Sequence, residues 1–244
     1  MSQAKRPALQ AVLFDLDDTL LYNNMEEVFL DAYFRALTDY ARPMCDGKQL
    51  MAAMMAATRS MHDGKADGPT NEEKFARVFA PQLGKPWPEL RTFFTTFYET
   101  RFPDLRVHAE AHPQARKAVE TCLEAGYTVV IATNPLFPAQ AIEQRLAWAG
   151  VDDMPFALVT TYENMHTCKP EPAYYLEIAS RIEVPPASCL MVGNDLVRDI
   201  APARQAGMRT FLADTWITNP DPDIKADRQG TLDELIKWLT NHKA

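Results

Sequence analysis

Residues 9–14 form a short, mostly apolar run that ends abruptly in acidic side chains, and similar runs recur at 128–132, 156–160, 189–192 and 209–212. Short apolar stretches without strict alternation are the pattern of strands buried on both faces of a parallel sheet. Helix-like stretches separate the later runs, and their punctuation is consistent. Pro113 suits a first helical turn, while Gly126, Gly150 and Gly207 stand where a left-handed cap would end a helix. The alternation predicts an α/β fold, a doubly wound, mostly parallel Rossmann-like sheet with helices on both faces.

The stretch 23–108 breaks this rhythm. It has no convincing strand, and its apolar residues recur at helical spacing, as in Phe29, Tyr33, Leu37 and Tyr40, and again in Phe75, Val78 and Phe79. The pattern predicts an all-helical unit at 23–108 inserted into a core made of 1–22 and 109–244. Inserted directly after the first strand, it would lie over the carboxyl edge of the sheet, where a lid is useful. Met51, Met54, Met55 and Met61 could line an adaptable pocket, but a packed helix interface is the simpler expectation, as it is for Phe93, Phe94, Phe97 and Tyr98. Residues 217–228 are rich in Pro and Asp and predict a surface loop, followed by a helix with Thr231 and Glu234 at capping-box spacing.

Composition narrows the classes of function. The chain has 244 residues, 47% hydrophobic and 24% charged, enough to build a packed core. No apolar run approaches the length of a membrane span, and residues 1–7 are not followed by a signal-peptide core, so a cytoplasmic protein is expected. Cys45, Cys122, Cys168 and Cys189 lack close paired spacing, which predicts reduced thiols rather than disulfides or structural zinc. A net charge of −8 without a basic stripe argues against a grip on nucleic acid. A small anionic substrate remains compatible, since one or two local cations and a bound metal would suffice to hold it.

Four stretches carry candidate chemistry. In Phe14-Asp15-Leu16-Asp17-Asp18-Thr19, two carboxylates stand two positions apart at a strand end. Their repulsion is relieved by a divalent cation or by protonating one of them. Asp15 could then attack phosphorus while Asp17 gives a proton to the leaving oxygen and later takes one from water. Alone, the stretch is equally an acidic helix cap. In Ile131-Ala132-Thr133-Asn134, the Thr133 hydroxyl and a free backbone N–H could hold a non-bridging phosphate oxygen, although Pro135 also suits a plain turn. In Cys168-Lys169-Pro170-Glu171-Pro172, Lys169 could pair with the nucleophile and offset phosphoryl charge, or simply be a solvated surface lysine. In Met191-Val192-Gly193-Asn194-Asp195-Leu196-Val197-Arg198-Asp199, Asp195 is placed to bind a cation with Asp199 in support, or to cap a helix. Together they supply the nucleophile, acid/base, oxygen clamp, cation and metal acid that phosphoryl transfer requires.

In this order the four stretches resemble the motifs of the haloacid dehalogenase (HAD) superfamily, and the helical insert lies where such proteins carry a C1-type cap. The resemblance implies a magnesium-dependent phosphatase acting on a small phosphorylated metabolite. Asp15 would be its nucleophile and Asp17 its general acid/base; Thr133, Asn134 and Lys169 would hold the phosphate. Asp195 would bind Mg2+ together with Asp15 and the backbone carbonyl of Asp17. The chain departs from the pattern at Asn194, where many members have Asp. Asp195 is therefore expected to be the third metal ligand and Asp199 its support, with Asn194 as a neutral alternative through its carbonyl oxygen. Three alternatives stand beside the phosphatase: a phosphomutase, which the same core motifs serve; a haloacid dehalogenase, which needs neither magnesium nor a leaving-group acid and is disfavoured by the retained Asp17; and a non-catalytic phosphate-binding protein, suggested by Asn194.

Overall fold

Alternate residues of a strand face opposite sides of a sheet, and the first strand, β1 (Ala11–Phe14), is buried along its whole length. Val12 and Phe14 pack on one side and Ala11 and Leu13 on the other, so each face needs its own helical cover. The computed structural model describes residues 7–63 and 67–241. Residues 1–6, most of the segment considered for a signal peptide, lie outside the described residues.

After β1 come β2 (Leu21–Tyr22), β3 (Glu110–Ala111), β4 (Thr128–Ile131), β5 (Leu158–Val159), β6 (Cys189–Gly193), β7 (Arg209–Ala213) and β8 (Arg228–Gly230). Six of these form one sheet in the order β5-β4-β1-β6-β7-β8, with all pairings parallel. Phe14 is in register with Ile131 on one side and Val192 on the other, so three strands end together. The chain leaves β1 for β4 on one flank and later returns to β6 on the opposite flank. That switch in strand order opens a crevice at the carboxyl end of β1.

Between β2 and β3 the chain makes a wide turn at Met25–Phe29 and then four helices: α1 (Leu30–Ala41), α2 (Gly47–His62), α3 (Asn71–Leu83) and α4 (Trp87–Thr100). The later helices are α5 (Ala115–Glu124), α6 (Ala139–Ala149), α7 (Pro172–Arg181), α8 (Ala201–Gln205) and α9 (Leu232–Asn241). Helices α5, α6 and α9 cover the Val12 face, and α7 and α8 cover the other. The helices after β2 share a core of their own around Phe29, Tyr33, Leu37, Phe79 and Phe97, into which Ala141, Tyr162 and Cys168 reach from the α/β part. Met61 is buried in that core and Met54 packs against it, whereas Met55 is 55% exposed, so the methionine run faces both the core and solvent.

Several details differ from the sequence expectation. Pro113 lies ahead of the helix rather than in its first turn, because α5 begins at Ala115 after Gln114. The 217–228 stretch does not lead directly into a helix; β8 intervenes, pairing Phe211 with Arg228 through to Ala213 with Gly230. An edge strand of three residues satisfies mainly its backbone and therefore leaves little hydrophobic pattern. The same holds for β2 and β3, which pair antiparallel over two residues. Other expectations are met. Gly126, Gly150 and Gly207 have positive φ at helix ends, and Thr231 and Glu234 exchange capping hydrogen bonds. The four cysteines are free thiols. Among the described residues, no helix is long and apolar enough to cross a membrane.

Candidate active site

Because β1, β4 and β6 end in register, the residues just beyond them must crowd together. The Asp15 amide donates to Val192 O at 2.9 Å and the Ala132 amide to Phe14 O at 2.7 Å, extending the sheet to the mouth of the site. Lys169 arrives on the segment before α7, and its ammonium is almost completely buried. It donates to Asp15 Oδ1 at 2.7 Å and to Asp199 Oδ1 at 2.6 Å. Asp199 in turn accepts from the Asp195 amide at 3.1 Å. This close approach depends on Gly193, since a Cβ there would lie 2.2 Å from Asp199 Oδ2.

Burial pushes the Asp15 carboxyl up to about 8; Lys169 opposes the shift, and Asp199 and Asp17 add to it. Burial also disfavours the Lys169 ammonium, but Asp15 and Asp199 raise it well above the usual lysine range. Lys169, even with Arg198 at the cavity wall and Arg145 on Asp17, does not neutralise Asp15, Asp17, Asp18, Glu26, Asp195 and Asp199, which line the same cavity. The pocket is short of positive charge.

Thr133 is buried, and its carbonyl accepts from Thr160 Oγ1 at 2.7 Å and from the Tyr174 hydroxyl at 2.8 Å, which fixes the turn after β4. The buried Asn134 Oδ1 has no hydrogen-bond partner among the described residues. Asp15, Asp17, Thr133, Asn134, Lys169, Asn194, Asp195 and Asp199 all line one cavity of about 390 Å³. Sequence and structure therefore agree on which residues share a pocket.

They differ on what two of them do. Asp195 Oδ1 accepts from the Val197 and Arg198 amides at 2.8 Å each, and Oδ2 accepts from Asn219 Nδ2 at 2.7 Å. Oδ1 caps the turn at Leu196–Ile200 and Oδ2 is held by Asn219, so Asp195 serves here as an anchor of that turn at the cavity wall. Asn194 is the residue linked to the nucleophile. Thr19 Oγ1 lies 3.2 Å from Asn194 Oδ1 and 3.5 Å from Asp15 Oδ2, while Asn194 Nδ2 donates to Trp216 O and Thr218 Oγ1. Asp199 serves as the second partner of Lys169. Among the described residues, no three His, Cys, Asp or Glu side chains form a ready chelate. Asp15 and the Asn194 amide oxygen instead stand together at the cavity, linked through the Thr19 hydroxyl. Hard oxygens of this kind, beside uncompensated negative charge, suit a magnesium ion that keeps several waters.

Three features went unseen in the sequence. Asp18 has φ 57° and accepts from the amides of Asn23, Asn24 and Met25, which pins the entry to the helical insert. Asp17 accepts from Asn23 Nδ2 at 2.6 Å and from Arg145 Nη1 at 2.5 Å, so both its oxygens are held. His62, Glu26, Met25 and Leu30 of the insert, with Leu136, Phe137 and Arg198, complete the cavity wall. No single-residue signal marks such partners, because each is ordinary for the helix or loop that carries it.

A family model described as haloacid dehalogenase-like hydrolase matches residues 9–207. The chain is 29% identical over 208 residues to N-acetylmuramic acid 6-phosphate phosphatase of Pseudomonas aeruginosa, covering 84% of this chain and 82% of that protein. It is 26% identical over 243 residues to glyceraldehyde 3-phosphate phosphatase of Methanopyrus kandleri, covering 95% and 98%. The crystal structure of 2-haloacid dehalogenase from Pseudomonas syringae pv. tomato superposes with a TM-score of 0.65 at 23% identity, covering 96% of this chain and 99% of that one, a likeness of fold. With the family model spanning β1 to β6, the helical insert and all four site stretches, the chain belongs to the haloacid dehalogenase-like hydrolases.

Proposed function

We propose that the protein is a magnesium-dependent phosphomonoester hydrolase that acts in the cytoplasm on a small phosphorylated metabolite through an aspartyl-phosphate on Asp15. The observation that carries this reading is the buried Lys169 ammonium, which bridges Asp15 and Asp199 at the mouth of the sheet. A lysine held there can orient the nucleophile and offset charge on the phosphoryl oxygens. Similarity to two phosphatases supports the same class of reaction.

Asp15 attacks phosphorus, and the bond from phosphorus to the leaving oxygen breaks as Asp17 gives that oxygen its proton. Water then attacks the acyl phosphate, losing a proton to Asp17, and releases phosphate and free Asp15. The Thr133 hydroxyl and the Asn134 amide would hold non-bridging oxygens. A magnesium ion held by Asp15, the Asp17 backbone carbonyl and Asn194 would supply further neutralisation of phosphoryl charge. Asp195 would act by holding the turn that presents Asn194.

Residues 23–108 would act as the cap. Met25, Glu26, Leu30 and His62 line the same cavity as Asp15, so the substrate group beyond the phosphate would meet the insert. A haloacid dehalogenase is the alternative that the shared core motifs leave open. It leaves Asp17 unexplained, because a departing halide needs no proton.

The test is phosphate release from a panel of phosphorylated metabolites, with magnesium and with excess chelator, for the parent protein and Asp15→Asn. We expect magnesium-dependent release that falls at least about a thousandfold in Asp15→Asn. Equal activity of the two proteins would remove Asp15 as nucleophile, and an isomeric phosphate ester in place of free phosphate would identify a mutase.

A further inference from the structure

Helix α6 turns Ile142, Leu146 and Ala149 inward, and Arg145 lies on the same buried side, 1% exposed, where a leucine would be expected. Burying a guanidinium is unfavourable unless it is paired and hydrogen-bonded. Arg145 is only partly satisfied. Its Nη1 donates to Asp17 Oδ2 at 2.5 Å, its Nε reaches Ala141 O at 3.4 Å, and its guanidinium lies 4.6 Å from the centre of the Phe137 ring. Nη2 has no hydrogen-bond partner among the described residues. A buried pair of this kind adds little net stability over a well-packed hydrophobe of similar volume. Stability alone therefore does not account for an arginine here.

What a hydrophobe could not do is hold Asp17. The carboxylate is gripped from two directions by groups on separate elements: Asn23 Nδ2 on Oδ1 at 2.6 Å, from the segment entering the insert, and Arg145 on Oδ2 from α6. We infer that Arg145 is a positioning residue, which sets the Asp17 carboxyl so that its proton reaches the oxygen leaving phosphorus. The inference rests on the phosphatase reading, in which the bond from phosphorus to that oxygen breaks as the Asp17 proton transfers. Arg145 does not touch substrate; it acts only through Asp17.

A positioning role for the acid makes a demand that a merely structural role does not. An alkyl ester expels a strongly basic oxygen and needs the proton, whereas a nitrophenyl ester expels a stable anion and needs it little. The experiment compares Arg145→Met and Arg145→Lys with the parent, at saturating magnesium, on an alkyl phosphate from the metabolite panel and on 4-nitrophenyl phosphate. In Arg145→Met, kcat/KM, which reports the step that expels the leaving group and not the later hydrolysis shared by both esters, should fall about a hundredfold for the alkyl ester, while kcat/KM for the aryl ester stays near the parent value. Arg145→Lys, which keeps the charge but not the planar fork, should recover part of the alkyl rate. In an Asp17→Asn background, Arg145→Met should add no further alkyl-selective loss.

Equal loss of kcat/KM on both esters, or loss on neither, would overturn the inference. Thermal unfolding of each variant identifies a protein that has failed to fold. If Arg145→Met is such a protein, the alkyl-to-aryl ratio of Arg145→Lys decides by the same criterion. If the parent itself releases phosphate from neither ester, the phosphatase reading fails first and the inference falls with it.

Discussion

Gly193 shows how one missing side chain sets the geometry of the site. Asp199 passes so close to its backbone that a Cβ would overlap both the Asp199 carboxylate and its Cβ, at 2.2 and 2.8 Å. In Gly193→Ala, Asp199 must withdraw from Lys169, to which it is joined at 2.6 Å. Displacements on the order of 1 Å in a catalytic constellation reduce rates about a hundredfold, and overpacking destabilises by roughly 1–3 kcal/mol. We therefore expect kcat/KM to fall about a hundredfold with a modest loss of Tm, checked by kinetics and thermal unfolding of the same preparation. An unchanged rate would show that the contact between Lys169 and Asp199 does not matter for turnover. At this scale Asp15, Asp17, Thr133 and Lys169 could be found in the sequence because each ends a strand or starts a helix with chemistry that its element does not need. Arg145, Asn23 and Thr19 could not, since an arginine in an amphipathic helix, an asparagine in a turn and a threonine beside aspartates are all common.

Helix ends carry the next layer of control. His112 accepts the Gln114 amide on Nδ1 at 3.0 Å just ahead of α5. Burial lowers its pKa from 6.5, with Asp233 opposing. The folded protein thus takes up this proton less readily than the unfolded chain. Its contribution to stability is fully present above about 6.5 and is lost as pH falls below that value toward the lowered folded pKa. Tm should drop on acidification through that range, and His112→Asn, which keeps a cap acceptor without a titrating ring, should show a shallower drop. Parallel slopes for the two proteins would exclude His112 as a source of the acid sensitivity. The long elements were readable in the chain because a buried strand or an amphipathic helix must repeat its apolar residues. The short strands β2, β3 and β8 were not, because they satisfy backbone groups rather than bury side chains. Pro113 was read one element too far inward because both a first helical turn and the turn ahead of it accept proline.

For the whole molecule, what matters is how the helical insert is seated on the sheet. Hydrogen bonds such as those from the Asn71 and Glu72 amides to Met165 O and Tyr162 O join them, together with an ion pair and aromatic contacts. Arg198, in the turn after β6, pairs with Glu26 of the insert, both side chains being 43% exposed. Trp148 of α6 stacks on Phe102 with ring centres 5.5 Å apart and meets Phe29 at 6.2 Å. An exposed ion pair contributes at most about 1 kcal/mol and is screened by salt. A buried Trp→Ala change costs about 3–5 kcal/mol, and a half-buried one roughly half of that. The aromatic contact should dominate. Trp148→Ala is expected to lower stability by about 2 kcal/mol in denaturant unfolding, whereas Glu26→Ala should stay within about 1 kcal/mol. The reverse order would mean that charge, not packing, seats the insert.

From the order of apolar runs and acidic ends alone, the chain determined its α/β class and the family resemblance, and it named the strand-end residues that the structure gathers around one cavity. These are local properties, since burial periodicity and strand-end chemistry are written in consecutive residues. Tertiary structure alone decided that Asp195 caps a turn while Asn194 is linked to the nucleophile, and that Arg145 and Asn23 hold Asp17. Those outcomes depend on which atoms meet across 128 residues between Asp17 and Arg145, or 175 between Thr19 and Asn194. Sequence spacing within any one motif carries no record of such meetings; they arise only when the sheet brings its strand ends together.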